Sequence, residues 1–247
     1  MRPGATAFVT GGSRGIGREI ALRLARDGAA RVGIGYFRSD VQAEETAEAL
    51  RAAGAEPVLV RGNISSGRTV AEIAAIGPID VLVHNAATGV IRPALETEDK
   101  HWDWTMGANA RALLALARAV APTMPAGSAI VGISSLGSHL VLDNYTLVGT
   151  SKAALEALIR YLAVELAPGV RVNGVSAGVV DTDALRYFPN RDEMRAFGGA
   201  NPAGRLVAPA DVAAAVSFLC SDGAEMIRGQ TIVIDGGFSI AIGSRGD

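Results

Sequence analysis

The chain has 247 residues, and its 49% hydrophobic and 19% charged content excludes a disordered protein. Its 23 basic and 25 acidic residues give a formal charge of −2 at pH 7, so neither a nucleic acid nor an anionic membrane is expected as a partner. No apolar run reaches the roughly 18 residues of a membrane span, and one cysteine and three scattered histidines lack the spacing of metal ligands, so no metal site is expected.

Apolar β-branched runs alternate along the chain with alanine- and leucine-rich segments of helical period, a pattern typical of βαβ units and a parallel sheet. Seven strands are predicted: Ala5–Thr10, Arg31–Tyr36, Glu56–Arg61, Ile79–His84, Ser128–Ile133, Val170–Val175 and Thr231–Asp235. Six helices are predicted between them: Gly15–Asp27, Asp40–Ala53, Gly67–Ile76, Lys100–Val120, Thr146–Ala167 and Pro209–Ser221. We therefore predict an α/β, single-domain, doubly wound Rossmann fold over residues 1–247, with a seven-stranded parallel sheet and helices on both of its faces.

The stretch from Ser176 to Ala208 is the longest one without a clear sheet element. It follows the sixth predicted strand and contains several aromatic side chains among polar ones. Ligands of open α/β sheets bind beyond the carboxyl ends of the strands, so we predict that residues at about 183–206 form a lid over the site.

A glycine-rich turn, Thr10-Gly11-Gly12-Ser13-Arg14-Gly15-Ile16-Gly17, joins the first predicted strand to the first helix. Glycines let the backbone approach a pyrophosphate closely, and the helix N-terminus offers it free N–H groups and positive dipole charge. A turn that binds nothing is the alternative, but the strand before it and the helix after it favour a dinucleotide site. The residues expected to bind the dinucleotide here are Gly11, Ser13, Arg14, Gly15, Ile16 and Gly17.

The second predicted strand ends without a carboxylate, in Gly35-Tyr36-Phe37-Arg38-Ser39. A carboxylate at this point would bind the ribose 2′-hydroxyl of NAD and repel the 2′-phosphate of NADP. The first acid is Asp40, which we expect to begin the next helix beside Ser39. Arg14 and Arg38 can instead bind the 2′-phosphate, so NADPH is the expected cofactor; the alternative is that both are solvated surface arginines.

Several motifs at the predicted strand ends together resemble the short-chain dehydrogenase/reductase superfamily over nearly the whole chain. They are the glycine turn, Asn85-Ala86-Ala87 after the fourth strand, Asn109 in the following helix, Ser134-Ser135 after the fifth strand, and the region of Tyr145 and Lys152. The usual dyad of that family is Tyr-x-x-x-Lys, but Val148 stands four residues before Lys152. Tyr145 lies seven residues before the lysine, and this Tyr-x6-Lys spacing resembles that of enoyl-acyl-carrier-protein reductases.

Four further segments are similar to the NADPH-dependent type III enoyl reductases of bacterial fatty-acid synthesis. They are 102–106, 181–185, 188–191 and 226–231. Three positions depart from the family pattern: His84 replaces an asparagine, Asn63 an aspartate and Ala177 a proline.

The resemblance implies that Tyr145, Lys152 and Ser135 are catalytic. When an enoyl thioester is reduced, hydride is added to the β-carbon and negative charge develops on the thioester oxygen, where a phenol can donate a hydrogen bond. Only two of the 23 basic residues are lysines, which suggests that Lys152 meets a chemical need that arginine does not. Ser135 stands where some enoyl reductases carry a second tyrosine, whereas Ser134 aligns with the serine of ketone-reducing members, so the serine that contacts substrate stays open. The resemblance also places further residues at the cofactor: Asn63, Ile64, Asn85, Ala86, Lys152 and Thr182.

The expected activity is NADPH-dependent reduction of trans-2-enoyl thioesters, carried on acyl carrier protein or CoA, to saturated acyl thioesters. Two alternatives stay open: a ketoreductase of 3-oxoacyl thioesters or of a secondary-metabolite ketone, and an inactive Rossmann module that senses NADPH or serves as a partner subunit. Hydrolysis is disfavoured because no Gly-x-Ser-x-Gly elbow surrounds either serine. The resemblance implies a homotetramer, and because Met1–Thr10 lacks the pattern of a signal peptide we expect a cytoplasmic protein.

Overall fold

A seven-stranded parallel sheet organises the chain in a computed structural model, which describes Arg2 and residues 4–182 and 191–241. The strands are β1 (Thr6–Thr10), β2 (Arg31–Tyr36), β3 (Glu56–Arg61), β4 (Val81–His84), β5 (Ser128–Ser135), β6 (Val170–Ala177) and β7 (Thr231–Ile234). Their order across the sheet is β3-β2-β1-β4-β5-β6-β7, so the winding direction reverses between β1 and β4. This reversal is the place where open α/β sheets bind ligands, and the predicted fold class is confirmed.

The helices of the described residues are α1 (Gly15–Arg26), α2 (Asp40–Ala52), α3 (Gly67–Ala74), α4 (Asp99–Met106), α5 (Ala112–Val120), α6 (Thr146–Glu165), α7 (Arg191–Gly199) and α8 (Pro209–Leu219). The single helix predicted over Lys100–Val120 is instead α4 and α5 joined by a π-helical turn, Gly107–Arg111. Helix α7 lies in the stretch for which no helix was predicted, because it is only nine residues long and ends in two glycines.

Helices cover both faces of the sheet, as predicted. Alternate strand residues enter two separate cores: Val9 and Val83 pack on one face with Ile20 of α1 and Val216 of α8. Phe8 and Leu82 pack on the other face with Leu113 of α5 and Leu155 of α6. Because side chains alternate along a strand, both faces of the central strands are buried, which accounts for their continuous apolar sequence.

Strands β5 and β6 each extend two residues beyond their predicted ends. Ser134 pairs with Ser176 and Ser135 with Ala177 in parallel register. Ser134 and Ser135 therefore belong to β5 and do not follow it, because pairing between neighbouring strands continues into residues of low strand propensity. This extension holds both serines on the sheet at its carboxyl edge.

The predicted lid lies partly outside the described residues, which resume at 191. The two ends of the lid are held together by an isolated parallel bridge between Val180 and Val207. Within the lid, the Asn201 side chain donates 2.7 Å hydrogen bonds to the carbonyls of Gly198 and Arg205. Among the helices that the structure describes, none has both the length and the apolar character needed to cross a membrane.

Candidate active site

The candidate residues gather at the carboxyl edge of the sheet. Register places Thr10, at the end of β1, beside His84 at the end of β4, while His84 lies beside Gly132 of β5. The glycine turn after β1, the Asn85-Ala86 segment after β4 and the serines of β5 therefore come to one edge.

The glycine turn packs its backbone against the segment that follows β4. A Cβ at Gly11, where φ is +65°, would lie 3.0 Å from the Ala86 Cα, and one at Gly17 would lie 2.2 Å from the Gly11 carbonyl oxygen. Gly15 has φ +55° and is exposed, with only Thr182 within 4 Å of its added Cβ. No described side chain caps the N-terminus of α1, so its free N–H groups fit an anion such as a pyrophosphate.

A buried histidine organises the segment after β4. The Thr10 hydroxyl accepts hydrogen bonds from the backbone N–H groups of Asn85 and Ala86, both at 3.0 Å, and lies 3.2 Å from the His84 Nδ1. The His84 Nε2 lies 3.3 Å from the Asn109 carbonyl oxygen. These partners require Nδ1 to accept and Nε2 to donate, which is the neutral imidazole. Burial, with Lys152 nearby, lowers the pKa of His84 to about 4, so this departure from the family pattern adds no charge at neutral pH.

The side-chain amides of Asn85 and Asn109 hold the segment after β4 in place. The Asn85 side chain donates 3.1 Å bonds to the carbonyls of Thr10 and Gly11. Asn109 lies in the π-helical turn, where its side chain donates to the Thr88 carbonyl at 2.8 Å and to the Ser151 hydroxyl at 2.9 Å. Sequence periodicity does not reveal a π-helical turn, which is a frequent feature of functional sites.

Two exposed arginines, one after β1 and one after β2, are the residues predicted to bind a 2′-phosphate. Arg14 and Arg38 have no carboxylate partner among the described residues, and the Arg38 guanidinium lies 5.0 Å from the centre of the Phe37 ring. Asp40 begins α2, as predicted, and its carboxylate pairs with Arg61 at 3.3 Å. Arg14 and Arg38 are therefore available for a phosphate.

Asn63 and Ile64 follow β3. The exposed Asn63 accepts a 3.0 Å bond from the Ser65 backbone N–H, and Ile64 is half-buried. The side-chain oxygen of Asn63 is therefore bonded within its own turn, and its side-chain nitrogen is left for other contacts.

Tyr145 lies directly before α6, and its hydroxyl lies within 3.4 Å of the Ser135 hydroxyl, to which it donates. Its ring packs on two glycines: a Cβ at Gly137 would lie 2.5 Å from the Tyr145 Cε1, and one at Gly149 would lie 3.6 Å from its Cδ1. Burial raises the pKa of Tyr145, although the hydrogen bond to Ser135 opposes this. The phenol therefore keeps its proton at neutral pH and is able to donate a hydrogen bond.

Lys152 is buried on α6, with its ammonium group donating a 2.7 Å bond to the Ile133 carbonyl. Burial lowers the pKa of Lys152 to about 8, while the nearby Glu156 opposes the decrease. The lysine is thus largely protonated at neutral pH.

The two serines of β5 have different partners. Ser135 lies beside Tyr145, whereas Ser134 is buried and donates a 2.5 Å bond to Glu156. The structure thus brings the Tyr145 and Ser135 hydroxyls together and directs the Ser134 hydroxyl to Glu156 instead. Glu156 was missed by sequence analysis, although its place four residues after Lys152 puts both on one side of α6.

Val148 occupies the position of the usual family tyrosine and is buried against Gly89. A Cβ at Gly89 would lie 2.2 Å from the Val148 Cγ2. This contact fills the space between position 148 and Gly89. No group of three His, Cys, Asp or Glu side chains in the described part of the chain is arranged to hold a metal ion.

Comparison with known proteins yields a family match and full-length relatives. A family model described as Enoyl-(Acyl carrier protein) reductase matches residues 11–239. The 1-cyclohexenylcarbonyl-CoA reductase of Streptomyces collinus is 36% identical over 243 residues, which cover 95% of this chain and 86% of the relative. A short chain dehydrogenase from Burkholderia cenocepacia, solved in complex with NADP, is 32% identical with a TM-score of 0.85, covering 96% of this chain and 98% of that one. An angucycline C-6 ketoreductase solved with bound NADP is 30% identical with a TM-score of 0.88, covering 96% of each chain.

Proposed function

The chain belongs to the short-chain dehydrogenase/reductase superfamily, and within it we propose that this protein reduces trans-2-enoyl thioesters to saturated acyl thioesters with NADPH. The observation that carries the proposal is the position of the phenol. Tyr145, seven residues before Lys152, reaches Ser135, while the position four residues before Lys152 holds the buried Val148. The hydrogen-bond donor of the site is therefore one helical turn away from the usual place, which suits an acceptor other than a ketone.

NADPH is the cofactor of this chain, as relatives solved with bound NADP support. The described residues fit it: the glycine turn and the uncapped start of α1 suit a pyrophosphate, and the end of β2 lacks an acid. We assign its binding to Gly11, Ser13, Arg14, Gly15, Ile16, Gly17, Arg38, Asn63, Ile64, Asn85, Ala86, Lys152 and Thr182. Arg14 and Arg38 would hold the 2′-phosphate.

NADPH, when bound, supplies the hydride that is added to the β-carbon of the enoyl group. Negative charge then develops on the thioester oxygen, where the protonated Tyr145 hydroxyl donates a hydrogen bond. Ser135 accepts the phenol proton in the free enzyme; when substrate binds, this proton would turn to the thioester oxygen. The Lys152 ammonium group would bind the nicotinamide ribose and add positive charge. A proton from solvent completes the saturated product at the α-carbon.

The substrate is assigned as an acyl thioester of CoA or of acyl carrier protein, as in fatty-acid biosynthesis, because the two carriers share the phosphopantetheine arm. The named CoA-thioester reductase among the relatives makes a CoA ester the first choice for assay. Residues 191–206, the described part of the predicted lid, would cover this substrate. Apolar side chains are exposed on α6 and after β7, including Tyr161, Val164 and Ile240, and they suit association into a homotetramer. Light scattering would distinguish this assembly from a 25.3 kDa monomer.

A ketoreductase is the second candidate, because one solved relative carries that name. Incubation with NADPH and either crotonyl-CoA or acetoacetyl-CoA, followed by the loss of NADPH absorbance, separates the two reactions. We expect turnover of crotonyl-CoA, and Tyr145→Phe should lower it by about 10² to 10⁴ while NADPH still binds. Preferred turnover of acetoacetyl-CoA with a fully active Tyr145→Phe would contradict the proposal, and NADPH binding without either turnover would indicate a sensor module.

A further inference from the structure

A buried carboxylate lies behind the candidate active site. Glu156 is 2% exposed, and its Oε1 accepts hydrogen bonds from the hydroxyls of Ser134 at 2.5 Å and Ser138 at 2.6 Å. Its Oε2 lies 2.6 Å from the Nε2 of His139, whose own side chain is 67% exposed. Three donors thus surround one carboxyl group.

All three donors come from the end of β5 and the turn that follows it. Burying a carboxylate is costly unless such partners compensate its lost hydration, and an apolar residue would fill the same space without that cost. The neighbouring inward positions of α6, Leu155 and Ile159, are indeed apolar and fully buried. Packing alone therefore does not account for a glutamate at this position.

Lys152 lies one helical turn before Glu156 on α6, and both side chains are buried. Among the described residues, Glu156 on its own helix and His84 from β4 interact electrostatically with this lysine, and Tyr145 precedes the same helix. His84 is neutral because its pKa is lowered to about 4, and Tyr145 is protonated because burial raises its pKa. Glu156 is the group of these three that can oppose the positive charge of Lys152.

We propose that Glu156 is a positioning residue of the reductase site, whose buried carboxylate keeps Lys152 in its ammonium form and anchors the strand end that carries Ser135. The inference rests on the proposed function, in which the Lys152 ammonium group binds the nicotinamide ribose. Burial alone drives this lysine towards its neutral form, and Glu156 opposes that effect. The bonds from Ser134 and Ser138 fix the carboxylate on one side of β5, while Ser135 stays directed to Tyr145.

The titration of Lys152 can be measured directly, because the chain contains only one other lysine, Lys100. Biosynthetic labelling with ¹³Cε-lysine gives two NMR signals, and Lys100→Arg assigns them. We expect Lys152 to titrate near pH 8 in the wild-type enzyme and at least about one pH unit lower in Glu156→Gln. Glu165→Gln, at the exposed end of the same helix, is the matched control and should leave the titration unchanged.

Two more variants separate charge from structure. Glu156→Asp retains the charge and should titrate close to the wild type, whereas a purely structural role would make aspartate and glutamine equally disruptive. If the glutamine variant does not fold, Glu156→Met replaces the carboxylate by an apolar side chain of similar length and carries the same expectation. A Lys152 titration that is equal in wild-type and charge-free variants would overturn the inference.

The NMR measurement uses the enzyme without thioester, so its result is independent of the proposed reaction. NADPH affinity and kcat/KM for crotonyl-CoA are then followed against pH. Because the ammonium form is required, both should fall as pH rises through the Lys152 pKa, and the fall should occur at lower pH in Glu156→Gln. A wild-type enzyme that does not reduce crotonyl-CoA contradicts the proposed function, whereas a shifted Lys152 signal in Glu156→Gln still supports the charge effect.

Discussion

Gly137 provides the space that the Tyr145 ring occupies. An added Cβ would lie 2.5 Å from the Tyr145 Cε1 and 2.6 Å from its Cδ1, against about 3.5 Å or more for an ordinary carbon–carbon contact. Gly137→Ala therefore requires the ring to move by about 1 Å, and a displacement of that size at a catalytic group can cost about 10²-fold in rate. We expect a loss of this order in kcat for crotonyl-CoA.

The assay follows NADPH consumption by Gly137→Ala and by a matched control, Gly67→Ala. Gly67 is exposed at the first position of α3, and nothing lies within 4 Å of its added Cβ, so the control should behave like the wild type. NADPH affinity should be unchanged in both variants, because Gly137 touches the phenol and not the glycine turn. Turnover of Gly137→Ala within about twofold of the wild type would refute the reasoning that this glycine sets the position of the hydroxyl.

Three further predictions concern acid stability, reaction type and cofactor choice. Between pH 7 and pH 5 the free energy of unfolding should fall by about 2 kcal/mol more in the wild type than in His84→Asn. The reason is that the histidine binds a proton near pH 6.5 in the unfolded chain but only near pH 4 in the folded one. An equal pH dependence of the two proteins in urea unfolding would contradict this. Val148→Tyr should gain little acetoacetyl-CoA reduction, because Val148 packs directly on Gly89, and a large gain in kcat would show that spacing alone selects the reaction. Arg38→Asp should raise the NADPH KM by about tenfold or more, through lost charged hydrogen bonds and new repulsion; an unchanged NADPH preference over NADH would remove Arg38 from the assignment.

Local sequence pattern determined the parallel sheet, the glycine turn and the candidate pair of Tyr145 and Lys152. Strand and helix periods are local properties, and β2 and β3 were predicted with their observed bounds because β-branched runs there end at clear turn signals. The lack of an acid between the end of β2 and Asp40 could also be recognised from the sequence, because the end of this strand and the start of α2 lie only a few residues apart. Tyr145 and Lys152 were identified by their resemblance to the motif of the family, and the rarity of lysine in this chain supported the choice of Lys152.

Tertiary structure alone decided which of two adjacent serines reaches the phenol. Ser135 meets Tyr145, ten residues away, and Ser134 meets Glu156, 22 residues away, so the choice depends on the path of the chain between β5 and α6. The same holds for His84, whose neutral state follows from its burial and its partners on two other elements. Such contacts join residues distant in sequence, and periodicity and short motifs report only on neighbours along the chain. The direction and burial of each side chain are set when the sheet and its helices pack together.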